Sequence, residues 1–129
     1  MHSVSSLDYS NGVRDHFLNP RNAGSLAGAT RIGTAGNPGR GPFVKLFIRL
    51  DGDTVADITF QTYGCAAAIA SCSKLTEMVK GKTIKEALAI TPNALLAAIG
   101  GLPLGKRHCP GLAIEALANA LAAQANGFA

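Results

Sequence analysis

The sequence predicts a mixed fold in which an antiparallel β-hairpin is combined with several helices. Three observations carry this. First, Val44, Leu46, Ile48 and Leu50 alternate with Lys45 and Arg49, and after Asp51-Gly52-Asp53 the residues Ala56, Ile58, Phe60 and Thr62 alternate with Asp57, Thr59 and Gln61. Period-two alternation around a Gly turn is the signature of a hairpin with one core face. Second, Cys65 to Lys80 and Leu112 to Ala123 carry apolar residues at helical spacing, with Gly81 placed to close the first of these runs. Third, the 129 residues show no internal repeat and no compositional break, which suits one domain over 1–129.

Composition narrows the function. Hydrophobic residues make up 47% and charged ones 16%, enough apolar material for a core. No stretch approaches the ~20 apolar residues of a membrane span. Met1-His2-Ser3-Val4-Ser5-Ser6 has neither the basic region nor the apolar core of a secretory signal. Three cysteines form no even disulfide framework, so a reducing cytoplasm is expected. The net charge of +4 comes from dispersed residues, and aromatics are only 5%, with no Trp. A nucleic-acid reader clusters its positive charge and adds stacking aromatics. A mildly basic surface instead favours acidic protein partners.

Residues 1–7 read as a flexible tail. From Leu7 to Leu18, the residues Tyr9, Val13, His16 and Phe17 recur at helical spacing, and Asn19-Pro20 ends the helix. His16 sits on that stripe without Cys or Asp neighbours at metal spacing, so it reads as a packed histidine. Gly24 to Pro42 is rich in Gly and small residues and reads as a loop. It lacks the Lys-Ser/Thr of a phosphate-binding loop, and no helix follows. Beyond the hairpin, Ile84–Ile90 is a short helix. Thr91-Pro92 has the N-cap and N1 chemistry that opens another over Asn93–Ile99. Gly100 to Gly105 is an exposed loop, and Cys109-Pro110 opens the last helix with Cys109 as the expected N-cap.

Cys65 lies where a strand-like run becomes a helix-like one. Cys109 lies where a Gly/Pro loop becomes another. Helix N-termini present unpaired N–H groups and a positive dipole end, which stabilise thiolate. His108 adds an imidazole. Cys65, Cys109 and His108 thus form a candidate set of three soft-metal ligands. The plain alternative is that both thiols are packing residues. Cys72 is seven residues after Cys65, about 10 Å further along the helix. It reads as a small core residue, with a spare thiol for sulfur relay as its functional alternative. A metal hydrolase would need a base beside its bound water, and neither ligand loop carries a carboxylate. The protein is therefore expected not to be an enzyme.

Several ordered blocks carry a family resemblance: Asp8-Tyr9-Ser10, Asp15-His16-Phe17-Leu18-Asn19-Pro20-Arg21-Asn22-Ala23-Gly24, Phe60-Gln61-Thr62-Tyr63-Gly64-Cys65 with Ala68-Ile69-Ala70-Ser71, Leu75 to Gly81, Gly101-Leu102-Pro103 and Lys106 to Cys109. From about Leu7 to Ala123 the chain resembles the NifU/IscU-type iron–sulfur cluster assembly scaffolds, and the NifU N-terminal domain in particular. The resemblance implies an α+β fold with a small antiparallel β-sheet packed by helices, NifU N-terminal/IscU-like and SufE-like. It implies a cytoplasmic scaffold that takes sulfur from a cysteine desulfurase, assembles a [2Fe–2S] cluster or binds iron, and passes it to apo-protein clients. It assigns the ligand roles to Cys65, His108 and Cys109, and matches Lys106 to the family's lysine before that pair.

The chain departs from the family pattern in two places. Where the family has Ala/Ser-Cys-Gly-Asp before its first long strand, this sequence has Gly39-Arg40-Gly41-Pro42. Arg40 thus stands for a ligand cysteine and Pro42 for an aspartate, and neither replacement offers a lone pair to a metal. Where the family's chaperone loop reads Leu-Pro-Pro-x-Lys, the chain has Leu102-Pro103-Leu104-Gly105-Lys106, which speaks against that chaperone as a partner. The readings to be weighed are a cluster scaffold or carrier that borrows a fourth ligand, a regulator of the machinery that assembles nothing, and a degenerate scaffold that binds zinc.

Overall fold

The structure, a computed structural model, describes residues 9–37 and 39–127. The expected tail, residues 1–7, lies outside them. The elements in order are α1 (Asn11–Leu18), β1 (Arg31–Gly36), β2 (Phe43–Asp51), β3 (Thr54–Tyr63), α2 (Ala66–Val79), α3 (Ile84–Leu88), α4 (Pro92–Ala98), a 3₁₀ turn (Leu104–Lys106) and α5 (His108–Gly127). The strands form one antiparallel sheet in the order β1-β2-β3. The fold is α+β, as expected.

The sheet adds a strand to the expected hairpin. β1 falls inside Gly24–Pro42, which the sequence reads as loop, and Gly33 opposes Leu46 as Phe60 does from the other side. The reason lies in packing. A Cβ on Gly33 would sit 2.3 Å from the Ala116 carbonyl oxygen and from the Ala120 nitrogen. Helix α5 therefore rests directly on the β1 backbone, and only glycine admits it. Asn119 Nδ2 on α5 donates to the Thr34 carbonyl at 2.8 Å, tying helix to strand.

The inward sheet residues Val44, Leu46, Ile48, Ile58 and Phe60 form a buried cluster with Cys72, Leu75 and Val79 of α2 and Ala116, Leu117 and Ala120 of α5. Burying an aliphatic side chain of this size contributes about 1.5–3 kcal/mol. The helix boundaries follow local chemistry. Ser10 caps α1 by accepting from the Val13 N–H. Thr83 and Glu86 form a reciprocal capping box on α3. Thr91 caps α4, with Pro92 in its first turn as expected. Gly81 closes α2 at φ 86°, a left-handed conformation that glycine adopts without penalty.

A polar seam joins α1 and the following loop to α2. Ser73 is buried and its Oγ accepts the Arg21 N–H at 2.8 Å. The same hydroxyl is hydrogen-bonded to His16 Nδ1, 2.7 Å away, and His16 Nε2 faces Glu77 Oε1 at 3.3 Å. Asn22 Nδ2 donates to Thr76 Oγ1 at 3.0 Å. Held this way, the loop pairs with β3: Phe60 N–H donates to the Asn22 carbonyl and Gly24 N–H to the Phe60 carbonyl, at 3.0 and 2.8 Å. His16 is a packed residue, in agreement with the sequence.

Candidate metal centre

Three loops meet at one end of the sheet. β3 ends at Tyr63, Gly64 turns the chain, and Cys65 becomes the N-cap of α2. Gly64 is needed there, because a Cβ would approach the Ala68 Cβ to 2.8 Å. The same point lies 3.9 Å from the Pro42 Cβ, so the 39–42 loop runs beside the Cys65 loop. Arg40 itself is exposed. The third loop holds the 3₁₀ turn, which Arg107 steadies by donating from Nε to the Leu102 carbonyl at 3.0 Å.

Helix α5 starts at His108, two residues before the expected first helical residue, Pro110. Cys109 is therefore inside the first turn instead of capping it. Pro110 is tolerated because first-turn N–H groups have no intrahelical partner. Cys109 is buried and Cys65 half-buried, and the two pack in one cluster with Val13, Ala67, Ile99 and Leu102. Cys109 Sγ lies 3.7 Å from Nε2 of the exposed His108 ring. Cys72 sits apart in the main core, fully buried, as the sequence suggested.

Electrostatics divide the two thiols. Burial works to raise Cys65, but the Ala68 and Ala67 N–H groups at the helix start, together with the Lys106 ammonium, outweigh it and hold the thiol below its ordinary value. Cys109 is pushed up to about 11 by burial and then by the negative charge of its neighbour Cys65. Burial raises Cys72 far further and leaves it a neutral thiol. Lys106 is raised by Cys65, the reciprocal of the same contact. Tyr9 joins the group: its phenol is raised by burial and by Cys65, to which it also hydrogen-bonds. Sequence reasoning placed Tyr9 only on a helical stripe, and no local pattern marks a residue that meets its partner fifty-six positions away.

The donor set suits a soft or borderline metal: a thiol poised to ionise, a second thiol against it, and an imidazole on the second thiol. The three do not close around a single point. Among the described residues, no group of three or more His, Cys, Asp or Glu side chains is already set to hold one ion. His108, being exposed, has room to turn.

The chain matches the family described as "NifU-like N terminal domain" over residues 8–126. It belongs to that family. Among NifU-like relatives, the iron–sulfur cluster assembly scaffold protein IscU 1 of Archaeoglobus fulgidus is 52% identical over 113 residues, spanning 88% of this chain and 74% of the relative. The IscU scaffold of Aquifex aeolicus is 46% identical, spanning 87% and 73%. The nitrogen fixation protein NifU of Azotobacter chroococcum is 44% identical, with 89% of this chain matching 38% of that longer protein. A crystal structure of a putative iron–sulfur cluster assembly scaffold for the SUF system, from Fervidobacterium islandicum, superposes with a TM-score of 0.72 at 25% identity, covering 91% of this chain and 98% of that one. The chain shares its fold with that structure. Among the described residues, no helix is long and apolar enough to cross a membrane.

Proposed function

We propose that this NifU-like chain is an iron–sulfur cluster assembly scaffold or carrier that holds iron or a [2Fe–2S] cluster through Cys65, His108 and Cys109. The observation that carries the reading is the contact between Cys65 and Cys109, delivered by two separate helix starts, with Lys106 on one thiol and His108 on the other. Packing alone does not call for a cation and an imidazole on a thiol pair. A helix N-terminus and an ammonium favour the thiolate form that binds metal. The names of the IscU relatives support the same reading. On this proposal the sulfur comes from a cysteine desulfurase, the cluster goes to apo-protein clients, and the work is done in the cytoplasm.

Arg40 in place of a ligand cysteine leaves three protein donors. A four-coordinate site then keeps one open position, which zinc accepts as readily as iron. Zinc retention is accordingly a second reading of the same residues.

Anaerobic reconstitution with iron, cysteine and a desulfurase tests the proposal by visible absorption. Charge-transfer bands that disappear in Cys65→Ala and Cys109→Ala support it. Iron or zinc bound equally by those variants and by the parent chain would overturn the assignment of the site.

A further inference from the structure

A groove of about 630 Å³ opens along the free edge of β3, between the Pro20–Gly24 loop and the start of α2. Its size lies within the range of small-ligand sites. The loop pairs with β3 only at Phe60, through Asn22 and Gly24. Backbone groups on a strand alternate in direction, so Thr62, two residues on, also turns its N–H and C=O away from β2 and into the groove. Among the described residues no backbone partner meets them. A short length of sheet edge is thus left open inside a cavity, the arrangement to which an extended peptide adds as a strand.

The walls indicate what kind of peptide. Lys45 carries the only charge among the described lining residues, and no carboxylate lines the groove. Tyr63, 71% exposed and stacked on Phe43 with centroids 6.3 Å apart, gives an aromatic rim. The occupant should therefore be anionic and short, since three extended residues reach only about 10 Å. The groove also borders the Cys65 backbone. Cys65 follows Thr62 by three residues, and the lining residue Ile69 lies one helical turn beyond Cys65, with its N–H bonded to the Cys65 carbonyl at 3.2 Å.

We propose that this groove is a binding site for a short acidic peptide thiol, which adds as a strand at Thr62, sets a carboxylate on Lys45, and offers its sulfur beside Cys65. The inference rests on the proposed metal reading in one respect: the sulfur supplies the donor that Arg40 does not. Peptide recognition is separate from it and needs no metal.

The test uses the full chain, metal-free and reduced, titrated with glutathione and with ophthalmic acid, the isosteric tripeptide in which a methyl replaces the thiol. Amide resonances report binding. Both tripeptides should shift Thr62 and Gly24, and Lys45→Glu should weaken both at least five-fold. Ala23→Trp, which fills the groove from an exposed position, should do the same, with circular dichroism confirming that both variants fold. In iron-loaded protein, glutathione but not ophthalmic acid should slow loss of iron to a chelator, and Lys45→Glu should abolish that protection. Shifts confined to Cys65 and Cys109, or free cysteine binding as tightly as glutathione, would overturn the groove. Groove binding without protection of iron would overturn the donor role. Should the parent chain hold no iron with any thiol present, the metal reading fails, and the apo titration still decides the groove.

Discussion

At the scale of single residues, the two thiols in contact differ in readiness to react. Cys65 is held below its ordinary value and is half-buried, Cys109 is pushed up to about 11, and Cys72 is enclosed. Alkylation by iodoacetamide at pH 7.5, followed by peptide mapping, should label Cys65 first and Cys72 last. Lys106→Ala removes a cation from the Cys65 sulfur and should slow its labelling several-fold, because the thiolate fraction sets the rate. Cys72→Ala should leave metal retention unchanged and cost about 1 kcal/mol of stability, as a small deletion in the core does. Arg40→Cys puts a thiol into a loop whose Pro42 already lies beside Gly64. It should lengthen the lifetime of a reconstituted cluster, read from the decay of its visible bands. The sequence marked Cys65, His108 and Cys109 as candidates because helix starts leave local marks. It could not reveal Tyr9 or the 39–42 contact, which depend on how distant loops fold back.

At the scale of elements, the His16–Ser73–Glu77 seam makes stability depend on pH. Burial, and then the charge of Arg21, lower the His16 pKa from its ordinary 6.5, while Glu77 opposes this. Between the lowered value and 6.5 the unfolded chain takes up a proton that the folded chain refuses. Stability from this group is therefore complete above pH 6.5 and is lost as pH falls through the folded value. Urea midpoints at pH 7.5 and 5.5 should differ more for the parent chain than for His16→Gln; equal differences would assign the pH dependence to other groups. The same scale explains the strand that sequence reasoning missed. Arg31-Ile32-Gly33-Thr34-Ala35-Gly36 has two glycines and weak alternation. Gly33 is required by the close approach of α5, so the packing that fixes β1 also erases its β signal. The hairpin and the caps at Thr91 and Gly81 were legible because their chemistry is local.

At the scale of the whole molecule, the sheet and α5 meet backbone to backbone at Gly33, between Ala116 and Ala120. His108 begins that helix eight residues before Ala116, about 12 Å along its axis. The contact is thus a fulcrum and the N-terminal part of α5 a lever arm, with His108 and Cys109 at its tip and Cys65 on the stationary side. A tilt of about five degrees at Gly33 moves the tip by about 1 Å, given that arm. Gly33→Ala, lying far from any ligand, should therefore loosen metal retention more than it lowers the melting temperature would suggest, and a chelator-competition assay on the folded variant would read the difference. The spacing of the sulfurs is governed from the opposite edge of the sheet, at a position that carries no side chain at all.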